Sequence, residues 1–90
     1  MKKEAVTLRV YGRVQGVGFR YYTQKTAMEH GIDGFVRNMP DGSVYIEAEG
    51  EPDALERFVL WCETGPQWAR VSKVEKQYSP PKGYTGFEIR

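Results

Sequence analysis

Residues 33–49, DGFVRNMPDGSVYIEAE, set two short apolar runs on either side of Pro-Asp-Gly. Proline presets the first corner of a tight turn, aspartate bonds the turn backbone and glycine takes the corner closed to other residues, so this stretch reads as a β-hairpin. A hairpin alone buries too little surface to be stable and needs further strands, or a helix, against one face. The flanking segments supply both. Ahead of it, residues 5–12 alternate Val6, Leu8 and Val10 with Thr7, Arg9 and Tyr11, the pattern of a half-buried strand. Residues 20–30 read as a helix with Tyr22, Thr26 and Ala27 on its apolar stripe, His30 in its last turn and Gly31 as its stop. Behind the hairpin, GEPDALERFVLWCETG has Pro52 near its first turn, Leu55, Phe58, Val59 and Cys62 at i, i+3, i+4 and i+7, and Gly65 at its end. A strand over 69–77 follows, in which Val71 and Val74 break strict alternation as a bulge would. After Pro80-Pro81 comes a last short strand near 86–90. The order βαββαβ plus a terminal strand predicts a ferredoxin-like α+β sandwich, an antiparallel sheet with both helices on one face, over a single domain of residues 1–90.

Composition removes several functions. The net charge is +1, with 13 basic and 12 acidic residues interspersed, which leaves no broad basic face for nucleic acid. The single cysteine forbids an internal disulfide and suits a reducing cytoplasm; its place on the apolar stripe makes it a packing residue. With one histidine and one cysteine in the chain, a zinc site of the usual kind has no ligands. MKKEAVTLRVYG has two lysines but no apolar run long enough for a signal peptide or membrane span. These features predict a cytoplasmic monomer that touches neither membrane nor nucleic acid.

The linker between the first strand and the first helix, GRVQGVGFR, places Gly12, Gly16 and Gly18 ahead of Arg20. A helix N-terminus carries about half a positive charge and leaves about four N–H groups unpaired, so a cation there is repelled. A P-loop would end Gly-Lys-Ser/Thr, and a dinucleotide fingerprint would need Gly or Ala at Tyr21; neither fits. Two readings remain: a turn with Arg20 reaching into solvent, or a nest of N–H groups that, with Arg20, holds an anion. Asn38, at the exit of the second strand, is likewise either ordinary turn chemistry or part of that site. The proposed topology puts the first strand and the second on either side of the third, which brings Asn38 and the glycine loop to the same edge of the sheet.

Together GRVQGVGFR and GIDGFVRNMPDGSV resemble the acylphosphatase family, whose pattern is G-x-V-Q-G-V-x-F-R and, beyond a helix, G-x-V-x-N-x-x-D-G-x-V. The resemblance extends from the first strand to the final GFEIR. It implies metal-free, cofactor-free hydrolysis of a small-molecule acyl phosphate to a carboxylate and inorganic phosphate. It implies further that Arg20 binds the phosphoryl group, that the amides of Gln15, Gly16, Val17, Gly18, Phe19 and Arg20 cradle it, that Asn38 orients the attacking water and that Thr23 supports the site. Phosphate or sulfate would compete as anions. Gly18 departs from the bulkier residue many members carry there. The chemistry agrees: a carboxylate leaving group, with a conjugate acid of pKa ~4, departs without a general acid, and a loose phosphoryl transition state is served by positioning and charge. Because the motif addresses the phosphate, acetyl phosphate, carbamoyl phosphate and 1,3-bisphosphoglycerate fit it equally.

Two alternatives compete with this reading. The same nest could bind a phosphate without turnover, in a free module or in a domain like that of carbamoyl-transfer maturation proteins, although Tyr21-Tyr22 stands where those have Pro-Phe. Tyr11, Tyr45 and Phe87 could instead stack RNA bases on a sheet face, but the RNP1 pattern is missing.

Overall fold

The computed structural model describes residues 2–90; Met1 lies outside the described residues. In chain order the elements are β1 (Glu4–Arg13), α1 (Phe19–Glu29), β2 (Asp33–Asn38), β3 (Val44–Gly50), α2 (Pro52–Thr64), β4 (Arg70–Ser79) and β5 (Phe87–Ile89). The sheet order is β4-β1-β3-β2-β5, with β3 central. Alternation in β1 and β3 sets the faces. Val6, Leu8 and Val10 pair in register with Ala48, Ile46 and Val44, and all six are buried. Thr7, Arg9 and Tyr11 line the opposite, open face.

The pairings among β1, β2, β3 and β4 are antiparallel as expected, but β5 runs parallel to β2, from Gly34↔Phe87 to Val36↔Ile89. The sheet is therefore mixed. The cause is the crossing of residues 80–86. They leave β4 where Ser79 pairs with Ala5 and reach β2 at its start, where the Gly34 N–H donates to the Gly86 carbonyl (2.9 Å). A strand that begins there can only run in the direction of β2.

On α2 the buried residues are Leu55, Phe58, Val59 and Cys62, as their spacing predicts. Phe58 meets Phe87 of β5 at a centroid distance of 5.9 Å. On α1 the stripe differs from expectation. The helix begins at Phe19, and its buried set is Phe19, Thr23, Thr26 and Ala27, at i, i+4, i+7 and i+8. Phe19 packs against Trp61 of α2 (5.8 Å), which turns Tyr22 outward to sit edge-on to Tyr21 (5.0 Å). His30 ends α1, with Nδ1 donating to the Thr26 carbonyl at 2.8 Å. The irregularity in β4 is a bulge: Tyr11 pairs with Lys73 and Gly12 with Val71, leaving Ser72 unmatched. Gly12 is required there because a Cβ would fall 2.1 Å from the Arg70 carbonyl oxygen. No described helix is long and apolar enough to cross a membrane.

Cys62 is fully enclosed beneath α2, and burial, followed by the neighbouring Glu63 charge, raises its thiol pKa well above the ordinary range. A buried thiol of this kind is a poor nucleophile. Thiol reagents should modify native protein only at the rate of global unfolding, as followed by mass spectrometry across a denaturant series. Modification in native buffer at the rate of a free thiol would mean that the α2 seam is open.

Candidate active site

The register of β3 assembles the site. Val44 pairs with Val10 on one side and Asn38 on the other, so all three side chains share the helix face. β1 and β2 run in the same direction on either side of β3 and end together. The loop that leaves β1 and the last residue of β2 therefore meet.

That loop enters α1 through Gly18, which is the N-cap in the left-handed conformation (φ 78°). An L-residue loses roughly 1–2 kcal/mol in that conformation and glycine does not. The space itself would admit a Cβ, whose nearest neighbour is the Tyr22 ring at 3.4 Å. No side chain caps the helix and no acid stands in its first turn. The first helical donor is Tyr22 N–H to the Gly18 carbonyl (3.0 Å); the N–H groups of residues 19–21 meet no main-chain acceptor among the described residues. Arg20 adds its guanidinium to these donors. Its Nη1 donates to the main-chain oxygen of Arg90 (3.2 Å), and it has no ion pair with an acidic side chain among the described residues.

These groups surround a cavity of about 230 Å³ lined by Gly16, Gly18, Phe19 and Arg20, by Asn38 from β2 and Ile89 from β5, and by Val14 and Tyr21. Three other expected site residues do not line it. Gln15 turns its side chain to the hairpin, where Nε2 donates to the carbonyls of Met39 (2.8 Å) and Ser43 (2.9 Å). Val17 packs against the core. Thr23 is buried, with Oγ1 donating to the Phe19 carbonyl at 2.7 Å. Sequence reasoning missed Tyr21, Ile89 and the Arg90 oxygen. The latter two arrive through the parallel pairing of β5, for which the hydrophobic pattern holds no signal. It also missed the bracing of the turn beside Asn38. Arg9 donates to Ser43 Oγ and Asp41 Oδ2 (both 3.0 Å), while Ser43 Oγ and N–H donate to Asp41 Oδ1 (2.6 and 2.9 Å). The Ser43 bonds, with Arg9 adding to them, hold the Asp41 carboxyl below its usual range.

A larger, shallower hollow of about 510 Å³ lies on the open face between Arg9, Tyr45 and Glu75. Its charged groups are engaged by neighbours: Arg9 by Asp41 and Ser43, Glu75 by Tyr11 (2.9 Å) and Lys76 by Glu63 (2.9 Å). Phe87 is buried against the helices, so Tyr11, Tyr45 and Phe87 form no common stacking platform. Among the described residues, no three His, Cys, Asp or Glu side chains converge as metal ligands.

Residues 6–89 match the family model for acylphosphatase. The chain belongs to the acylphosphatase family. An acylphosphatase of Thermococcus kodakarensis is 45% identical over 89 residues, covering 99% of this chain and 98% of the relative. The crystal structure of acylphosphatase from Bacillus subtilis superposes with a TM-score of 0.94 at 38% identity, covering 97% and 98% of the two chains. The fold also recurs within full-length HypF, at TM-score 0.88 and 27% identity, where the match spans 12% of that chain. The chain is accordingly an enzyme of the acylphosphatase type that hydrolyses acyl phosphates, and the ferredoxin-like fold expected from its element order is the fold of these relatives.

Among the described residues, the Gln15 amide is the side chain that hydrogen-bonds the glycine loop to the Asn38 turn. Gln15→Ala removes two part-buried hydrogen bonds, which should lower stability by about 1–2 kcal/mol in urea unfolding. Amide exchange should accelerate at Met39 and Gly42, whose N–H groups bond within the turn, and remain slow in β1. Unchanged exchange at both positions would show that the turn holds its place without the loop.

Proposed function

We propose that the cavity receives the phosphoryl group of the acyl phosphate, with Arg20 and the N–H groups of residues 15–20 as its anion site and Asn38 as the group that orients the attacking water. The carrying observation is electrostatic. A helix N-terminus without acids and an arginine with no acidic side-chain partner among the described residues share one small cavity with an asparagine amide. An anion at that place relieves the repulsion between helix and guanidinium and supplies acceptors to the free N–H groups.

The reaction needs little else from the protein. Water oxygen forms a bond to phosphorus as the bond to the acyl oxygen breaks. The carboxylate leaves with the electron pair, and the water proton passes to solvent. Peripheral phosphoryl oxygens carry the charge through the transition state, and donors already aimed at them reorganise little. Asn38, held at the end of β2 by the braced turn, offers an amide oxygen and N–H₂ to a water beside the phosphorus. All of these groups come from one chain, in keeping with a monomeric catalyst.

Arg20→Ala should lower kcat/KM by ~10²–10³, the usual cost of one such donor, and should weaken competitive inhibition by phosphate in parallel. Asn38→Ala should reduce kcat while leaving phosphate inhibition nearly unchanged, because ordering water acts in the chemical step. Equal loss of phosphate affinity in both would move Asn38 into the anion site, and a fully active Asn38→Ala would return it to turn chemistry.

Inorganic phosphate and sulfate should both compete with substrate and raise the melting temperature. The expected stabilisation is about 2.7 kcal/mol at a hundredfold excess over Kd. If neither anion inhibits or stabilises, the cavity is not an anion site.

A further inference from the structure

Glu49 is 1% exposed and is the charged side chain in the otherwise apolar or neutral buried set. It takes no part in the cavity. A buried carboxylate is costly unless donors replace its water, and here the replacement is a nest of main-chain N–H groups. Oε1 accepts from Gly83 (2.9 Å) and Tyr84 (2.7 Å), and Oε2 accepts from Lys82 (2.8 Å). All three belong to the segment that crosses the open face from β4 to β5. Glu47 holds the same segment from alongside, accepting from Tyr84 Oη (2.5 Å) and Lys82 Nζ (3.1 Å). Burial pushes the Glu47 carboxyl up, but the bonds from Tyr45, Tyr84 and Lys82 outweigh it and hold it below its usual range. The Tyr84 ring stands edge-on to Phe35 at 5.8 Å.

From this clamp a continuous path leads to the site. The Gly86 N–H donates to Asp33 Oδ1 (3.0 Å), and β5 then runs up the edge of β2 for three residues. Gln24 of α1 holds the Phe87 carbonyl (2.9 Å), and the Arg90 N–H donates to the Val36 carbonyl (2.8 Å). At the far end, Ile89 lines the cavity and the Arg90 oxygen accepts from Arg20. A strand this short has little pairing of its own, so its placement depends on what anchors its entry. We infer that Glu49 is a positioning residue for the reaction: by clamping residues 82–84 it sets where β5 ends, and so where Arg20 is held and how Ile89 closes the cavity. The inference rests on the reading that Arg20 binds the phosphoryl group.

The test is Glu49→Gln, which keeps the size but offers one acceptor oxygen and an N–H₂ that faces donors, so at least one strap N–H loses its partner. The expected result is a folded protein by circular dichroism, faster amide exchange over residues 82–90, and roughly a tenfold loss in both kcat/KM and phosphate affinity. On an Arg20→Ala background the same change should cost clearly less, because only the closure by Ile89 is then left to disturb. Tyr84→Ala loosens the same strap without stranding a buried charge. It should act in the same direction and decides the matter alone if Glu49→Gln fails to fold. Accelerated exchange with unaltered kcat, KM and phosphate inhibition would overturn the inference, as would an equal loss on the Arg20→Ala background. Failure of the underlying reading shows separately, as an Arg20→Ala protein that keeps full activity.

Discussion

Val44 is the register partner of Val10 and of Asn38, and the geometry of the site follows from that shared pairing. Side chains alternate faces along a strand, so a one-residue slip of the β2–β3 hairpin would send Asn38 to the open face, away from Arg20. Burial of Ile46 and Ala48 opposes such a slip from within the strand. The bonds of Gln15, Arg9 and Asp41 around residues 39–43 oppose it from the turn. Core packing and site geometry are thus one constraint. The residues that place Asn38 are those that make the hairpin fold in a single register.

Among the described residues, the main-chain N–H groups at residues 82–84 and those at the start of α1 are treated differently. The first set is filled internally by the Glu49 carboxylate. The second is left without a side-chain cap and has a cation added beside it. An acid in a first turn is worth about 0.3–1 kcal/mol to an exposed helix, and α1 forgoes it. The structural nest is closed by the chain's own carboxylate; the one at α1 is, on the proposed reading, left for an anion from outside. On the proposed reading, that small local loss is recovered whenever a phosphoryl group binds.

Much of this was legible in the sequence because it follows from local chemistry. Pro-Asp-Gly marked the hairpin, the alternation of β1 marked the core face, and the four-residue stripe on α2 marked its buried side. Arg20 after Gly18 announced its own electrostatic oddity. Other features were hidden because they depend on partners distant in the chain. Tyr22 shares a helical face with Thr26, yet Phe19 is the residue that finds Trp61, and its anchoring rotates Tyr22 outward. The parallel run of β5 is set by the route of residues 80–86, and nothing in GFEIR marks strand direction. Gln15 reads as loop composition until its two acceptors, on Met39 and Ser43, come within reach.

The choice of reaction also explains how so small a chain can catalyse it. General acid–base chemistry at neutral pH requires an imidazole in the site or a carboxylate driven up from its ordinary pKa by burial or by a like charge. A 90-residue core would have to enclose such a group and bear its desolvation. On the proposed reading none is needed. The leaving carboxylate requires no proton, and a guanidinium supplies a fixed charge without a tuned environment. Main-chain N–H groups carry fixed dipoles, and Asn38 does not titrate. The site can therefore sit at the sheet edge, half open to water, and leave the core apolar. Among the described residues the one fully buried carboxylate, Glu49, acts at the opposite end of β2, on the strap that brings the last strand to the cavity.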